Sequence, residues 1–423
     1  MNQNMLLVLS ILLVLISITY FRYFSISDEK KLIIDIVEKN SNVKFIHKKL
    51  ADMNKSTYSE KDNIIIINDD EMFNDIIKSG ELGFAESYIN GKWDTYDLEK
   101  LLLELYENFE SIKKQISSNN ANIFFIYITS QLKSIFRKGN SLSSIKDNIS
   151  HHYDIGNDLY EKMLGKHMQY TCAYFEDENM TLDEAQYAKM ELIAKKLDLK
   201  PGMKIMDIGC GFGTMANHLA TKYDVTVIGV TLSQEQINYY NENFFNDKVT
   251  IIYKDYRDYN IALGEDKFDR IYSVGMFEHV GRKRYHEYYD KCFDLLKDDG
   301  IMFIHTIGSN EREWNYNSFI NKYIFPEGEL PHLSHMFEKY FDKWHLENVQ
   351  NIGLSYAKTL RNWNKNIGNW EGLDNYDNKF RRMWHFYLIG CAANFQYKEI
   401  CLYQFVFTKI NNKRPDDCTY IMK

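Results

Sequence analysis

From about Lys200 the chain alternates between short apolar runs and helical stretches. "MKIMDI", "VTVIGV", "VTIIY", "FDRIYSV" and "GIMFIHTI" are five β-branched runs, most of them separated by helical segments. Strands that alternate with helices pair in parallel, so the pattern constrains the chain to a doubly wound α/β sheet. "ICLYQFVFTKI", Ile400 to Ile410, predicts a last strand near the C-terminus. Between them lies a long segment rich in Trp, Tyr and Phe. It exceeds a simple crossover and reads as a mainly helical cap, about 309–399, over the sheet's active edge.

The first of these strands runs into "IMDIGCGFG", Ile205 to Gly213. Glycines at 209, 211 and 213 let the backbone turn tightly and approach a ligand at a helix N-terminus. A dinucleotide fingerprint would need its third glycine where Thr214 stands, and the G-K-[ST] ending of a P-loop is absent. An acid, Asp207, ahead of G-x-G-x-G is the form found in S-adenosylmethionine (SAM) methyltransferases. In many of these the second strand ends in an acid that binds the ribose. Here it ends "GVTLSQEQ", which leaves Thr231 and Gln236 for that task.

With 423 residues, 45% hydrophobic and 26% charged, the chain has room for two domains or one enlarged one. A net charge of −8 argues against nucleic acid as the main partner and against purely electrostatic docking on anionic lipid. The six cysteines form no CxxC pair and no zinc spacing, so no metal is expected and free thiols fit a reducing compartment. At the N-terminus, Met5 to Phe21 is an uncharged apolar run at the short end of a membrane span. Without a basic n-region or a small-residue cleavage site it reads as a retained transmembrane anchor. Positive residues follow it and none precedes it, which predicts a membrane-anchored protein with its catalytic domain facing the cytoplasm. The expected organisation is an anchor over 1–24, a small N-terminal α+β domain over 25–120 and a segment over 121–150. That segment is a helix at the membrane surface or a buried linker. A catalytic domain spans 151–423.

Two stretches near the strand ends carry candidate chemistry. "SVGMFEHVG", Ser273 to Gly281, sets Glu278 and His279 just past the fourth strand, and "HTIGS" puts His305 on the end of the fifth. Both fall at the carboxyl edge, where α/β sheets place ligands. Glu278 reads as a working carboxylate and His279 as a structural histidine.

Several stretches in order complete the pattern, among them "LGFAESYINGKWD", "HYDIGNDLYEKMLGKHMQYTCAYF", "PGMKIMDIGCGFG", "VIGVTLSQEQ", "SVGMFEHVG", "KYIFPEGELPHL" and "RRMWHFYL". In these the chain resembles the cyclopropane-fatty-acyl-phospholipid synthases from about residue 63 to 410. Mycolic-acid cyclopropane synthases and some plant N-methyltransferases share part of the pattern. The resemblance implies SAM contacts at Tyr170, Thr171, Asp207, Gly209, Cys210, Gly211, Gly213, Thr231, Ser233, Gln236, Tyr256 and Arg257. Phe212 stands where the family usually has Trp. The resemblance also implies a bicarbonate held by Cys172, Glu278, His305, Ile307 and Tyr356. Cys391 matches a family cysteine that is either an active-site residue or helix packing.

The implied reaction adds a methylene from SAM to the cis double bond of an unsaturated phospholipid at a phospholipid membrane. It asks for a fixed sulfonium, aromatic walls for a cation and a base. Tyr170, Tyr174, Phe175, Phe277 and Tyr356 are the aromatic candidates. A homodimer is compatible with this reading. Competing readings are an alkene C-methyltransferase giving a methyl branch, an amine N-methyltransferase, and a non-catalytic lipid-binding scaffold.

Overall fold

The computed structural model describes residues 26–53, 61–119, 156–262, 266–311, 317–326, 328–337 and 342–412. They fall into two compact units.

The first unit comprises described residues up to 119 with Asn317–Phe319 and Asp377–Phe386. Its elements are α1 (Ile26–Asn40), β1 (Lys44–His47), α2 (Lys48–Met53), β2 (Ile64–Ile67), α3 (Glu71–Ser79), α4 (Glu81–Ile89), β3 (Trp93–Asp94), α5 (Leu98–Glu107) and α6 (Phe109–Asn119). The β-like run at Asn63–Asp69 supplies β2, which pairs parallel with β1 and antiparallel with β3. Gly80, at φ 56, ends α3 and lets α4 start at once. Helices α3 and α4 approach so closely that a Cβ on Gly83 would lie 1.9 Å from the Asp75 carbonyl oxygen. Trp93, fully buried, stacks on Phe84 and donates its indole N–H to the Phe84 carbonyl at 2.9 Å.

The second unit is built on a seven-stranded sheet in the order β6-β5-β4-β7-β8-β10-β9. Its strands are β4 (Lys204–Ile208), β5 (Thr226–Thr231), β6 (Val249–Tyr253), β7 (Phe268–Val274), β8 (Leu296–Ser309), β9 (Trp344–Asn351) and β10 (Ile400–Lys409). The longer helices are α7 (Asn157–Leu164), α8 (Leu182–Lys196), α9 (Thr214–Tyr223), α10 (Gln234–Asn243), α11 (Tyr285–Leu295), α12 (Gly353–Ile367) and α13 (Asn378–Tyr397), the last belonging to this unit from Tyr387 on. Strands β4 to β8 are parallel, and β10 runs antiparallel between β8 and β9. One face packs on an aromatic layer of Phe277, Tyr285, Tyr288 and Tyr289, the other on α8 and α9 through Ile193, Ala216 and Leu219. Burial on both faces is why these strands read as continuous apolar runs.

Among the described residues the segment over 309–399 is mainly helical. It also contains β9, an edge strand whose half-exposed sequence "WHLENVQN" lacks the apolar run of a central strand. One expectation is corrected: a transmembrane helix is not supported. Among the described residues no helix is long and apolar enough to cross a membrane, which takes about 20 consecutive apolar residues. The run Met5 to Phe21 lies outside the described residues. The supported fold class is the Rossmann-like sheet with its helices plus the small α+β unit. The membrane-anchored, cytoplasm-facing location drawn from the anchor loses its basis. The expected segment at 121–150 also lies outside the described residues.

Candidate active site

Chain order reverses between β4 and β7: from β4 the chain runs to β5 and β6 on one side, then returns to β7 and β8 on the other. Loops leaving the two strands diverge there and open a crevice at the carboxyl edge. A cavity occupies it. Gly209, at φ +80, is backed by Met276, whose Cγ would lie 2.7 Å from an added Cβ. Gly213 caps α9 in the left-handed region, and its Cβ would meet Ile251 and Tyr240. The loop thus admits only glycine at both positions.

Behind the loop, Asp207 accepts the Tyr272 hydroxyl at 2.7 Å. Burial pushes its carboxyl up to about 7, and the tyrosine bond holds it back. Thr231 donates to Gln236 Oε1 at 2.7 Å and accepts the Ser233 amide at 3.2 Å. Ser233 in turn caps α10 at the Gln236 amide. Arg257 grips Asp255 with two guanidinium nitrogens. Of the twelve residues expected to contact the cofactor, ten line the cavity; Gly213 and Ser233 serve instead as helix caps. Sequence reasoning missed Gln169, Thr214 and Asp255, which also line it. It set aside His279, which lines the cavity too, edge-on to Phe325 and kept neutral by burial.

A second, largely buried cluster sits by the end of β7 and on β8, which pair through Val274 and His305. Glu278 lies in the 3-10 turn Phe277–His279, and its Oε1 accepts the Ile307 amide at 2.7 Å. Its Oε2 is buried without a hydrogen-bond partner among the described residues. Burial raises this carboxyl to about 7, against the opposing pull of the Ile307 amide and of the nearby Thr306 side chain. His305 shares a 3.2 Å hydrogen bond between Nδ1 and the Gln404 side-chain nitrogen, and its Nε2 is buried without a partner among the described residues. Burial, then the charges of Lys189 and Lys196, keep this imidazole neutral.

Tyr356, on α12, stacks on Phe395 of α13 at 4.5 Å. Its hydroxyl is held protonated by burial first, then by the nearby Cys172, Tyr170, Glu278 and Cys391. Those four groups and Tyr356 therefore share one electrostatic neighbourhood. Cys172 donates its Sγ–H to the Ala173 carbonyl at 3.1 Å, and burial raises its thiol well above normal. Burial takes Cys391 to about 12, so it is a thiol and not a nucleophilic thiolate at neutral pH. Phe277 packs against Tyr285 and Tyr288 in the aromatic layer. Tyr170 sits between Tyr160 and Trp363, with its hydroxyl 2.9 Å from that of Tyr387.

Glu278 Oε2, in the turn after β7, and His305 Nε2, on the adjacent β8, are buried polar atoms without a hydrogen-bond partner among the described residues, and each has room in its chemistry for a small polar guest. Ile307 fits less simply, because its amide is already spent on Glu278.

Residues 140–405 match the family model described as mycolic acid cyclopropane synthetase. The chain is 39% identical over 347 residues to the cyclopropane-fatty-acyl-phospholipid synthase of Escherichia coli K12, covering 82% of this chain and 87% of that one. It is 38% identical over 275 residues to a probable fatty acid methyltransferase of Pseudomonas putida, covering 62% and 68%. Among solved structures it is similar to the mycolic acid cyclopropane synthase CmaA1 complexed with SAH and CTAB. The TM-score is 0.57 and the identity 33%, over 62% of this chain and 97% of that one.

Proposed function

The chain belongs to the mycolic acid cyclopropane synthetase family, and from that premise we propose that it cyclopropanates unsaturated acyl chains of phospholipids at a membrane surface. It is a SAM-dependent methyltransferase by fold and family. When bound, SAM supplies an electrophilic methyl on a sulfonium. Tyr170, Thr171, the loop from Asp207 to Gly211, Thr231, Gln236, Tyr256 and Arg257 would hold it, since all line the crevice cavity.

An isolated alkene is a feeble nucleophile, so these residues must hold the sulfonium in line with it and exclude water. Alkene attack leaves a carbocation, and one proton must leave as the ring closes. Tyr170 and Tyr356 offer aromatic faces to the cation. For the proton we propose a bicarbonate held by Cys172, Glu278, His305 and Tyr356 beside Ile307. The observations that support this are two buried atoms without a hydrogen-bond partner among the described residues, Glu278 Oε2 and His305 Nε2. A neutral His305 can donate to such a guest while Glu278, poised near neutrality, orients it or exchanges its proton.

The test is incubation with SAM and vesicles of unsaturated phosphatidylethanolamine or phosphatidylglycerol. The expected product is an acyl chain heavier by one CH₂, without its double bond and with ring protons in its NMR spectrum. Headgroup N-methylation would overturn the proposal. A methyl-branched chain would favour the C-methyltransferase reading.

A further inference from the structure

Helix α8 opens with a capping box: Thr181 accepts the Glu184 amide, and Glu184 returns to the Thr181 amide at 2.8 Å. That start fixes which face turns inward, and the inward face carries a lysine. Lys189 is fully buried. Its Nζ donates to Gln169 Oε1 at 2.6 Å and to Thr171 Oγ1 at 2.8 Å. Among the described residues no carboxylate hydrogen-bonds to it. One helical turn earlier, Gln186 donates to the Gln169 and Thr171 carbonyls and pins the backbone that carries both residues.

The directions of these bonds are forced. An ammonium only donates, so Gln169 must present its oxygen to Lys189. Its amide nitrogen then faces Thr214 and donates to Oγ1. Thr171 Oγ1 likewise receives from Lys189. Each threonine oxygen thus accepts one hydrogen bond from behind. Neither hydroxyl proton has an acceptor among the described residues, and both threonines line the crevice cavity. Two free O–H donors backed by a cation suit an anionic acceptor.

We propose that Lys189 is a positioning residue that reads the carboxylate of the methyl donor, acting through Thr171 directly and through Gln169 on Thr214. The inference rests on the SAM-dependent reading above. A carboxylate is the one anionic group SAM carries, and it accepts from two neighbouring hydroxyls. Its arrival also offsets a buried positive charge that has no carboxylate partner among the described residues. Burial without such an anion depresses the Lys189 ammonium to about 7.

The test is equilibrium binding by calorimetry of S-adenosylhomocysteine and of its decarboxylated analogue. The wild-type protein is compared with Lys189→Met and Lys189→Gln, each checked for cooperative thermal unfolding. Hydrogen bonds to a charged group are stronger than neutral ones, so wild type is expected to prefer the carboxylate form by at least about tenfold. In both variants that ratio should fall toward one, with affinity for the decarboxylated analogue kept within about twofold. Equal loss for both ligands would reduce Lys189 to a structural residue and overturn the inference, as would an unchanged ratio. Absence of a preference in the wild type overturns it without recourse to any variant. If wild type binds neither ligand, the methyl-donor reading itself fails and the inference falls with it.

Discussion

Glu278→Gln separates function from stability in one substitution. The glutamine keeps the side chain's volume, and its oxygen can still accept the Ile307 amide that Glu278 Oε1 now holds at 2.7 Å. What it removes is a charge in a buried place. The carboxyl is raised from 4.5 to about 7 in the folded protein, and at about 1.4 kcal/mol per pH unit that displacement is worth on the order of 3 kcal/mol. The sign follows from linkage. Below pH 4.5 the group is protonated folded or unfolded and costs nothing. As pH rises to about 7 the unfolded chain ionises first, so the folded state loses stability, and above that the full penalty applies. Glu278→Gln is therefore expected to match wild type at pH 4 and to be more stable at pH 8, by up to about 3 kcal/mol. Urea unfolding at both pH values measures it. The same variant is expected to lose about 10²–10⁴-fold in kcat with little change in S-adenosylhomocysteine affinity, the range for removal of an acid–base group. Equal stability of variant and wild type at pH 8 would show that Glu278 is not a desolvated carboxylate. Wild-type kcat in the variant would remove it from the proton-accepting machinery.

Three further substitutions test the geometry around it. Tyr272→Phe removes the donor that reaches Asp207 at 2.7 Å and is expected to cost about 1–3 kcal/mol, more at pH 8 than at pH 5, by denaturant unfolding at both. Gly209→Ala forces a side chain into the left-handed region and against Met276; loss of S-adenosylhomocysteine binding by at least about tenfold is expected from calorimetry, at about 1–2 kcal/mol for that backbone alone. Gln404→Leu leaves His305 Nδ1 without its 3.2 Å partner; kcat should fall about tenfold with KM for SAM unchanged, because the imidazole loses the contact that orients its free nitrogen.

Much of this architecture is legible in the amino-acid order because burial on both faces makes β4, β5 and β7 mostly apolar, with Asp207, Thr231, Arg270 and Ser273 as buried polar exceptions. The glycine turn is legible because positive φ at Gly209 and Gly213 leaves no other residue a place. Strand β9 is not, since an edge strand needs only one side's worth of apolar residues. Lys189 escapes for a different reason: a lysine in a helix ordinarily reads as a solvated charge. Its signal is positional. It falls on the buried stripe Leu182, Ala185, Gln186, Lys189, Ile193, Lys196, where a polar residue demands an explanation. Asp255 escapes because its neighbours Tyr256 and Arg257 draw attention first, although Arg257 is there to hold it. The pairing of Glu278 with the strand carrying His305 depends on β7 and β8 being neighbours, which the linear order suggests and only the register confirms.

Isotope retention from SAM bearing a trideuterated methyl, with vesicles of monounsaturated phospholipid, tests ring formation most directly. Ring closure strips one hydrogen from the transferred carbon, so the product acyl chain should carry two deuterons on a cyclopropane CH₂ and none elsewhere. A chain that keeps all three deuterons on a methyl branch would contradict it.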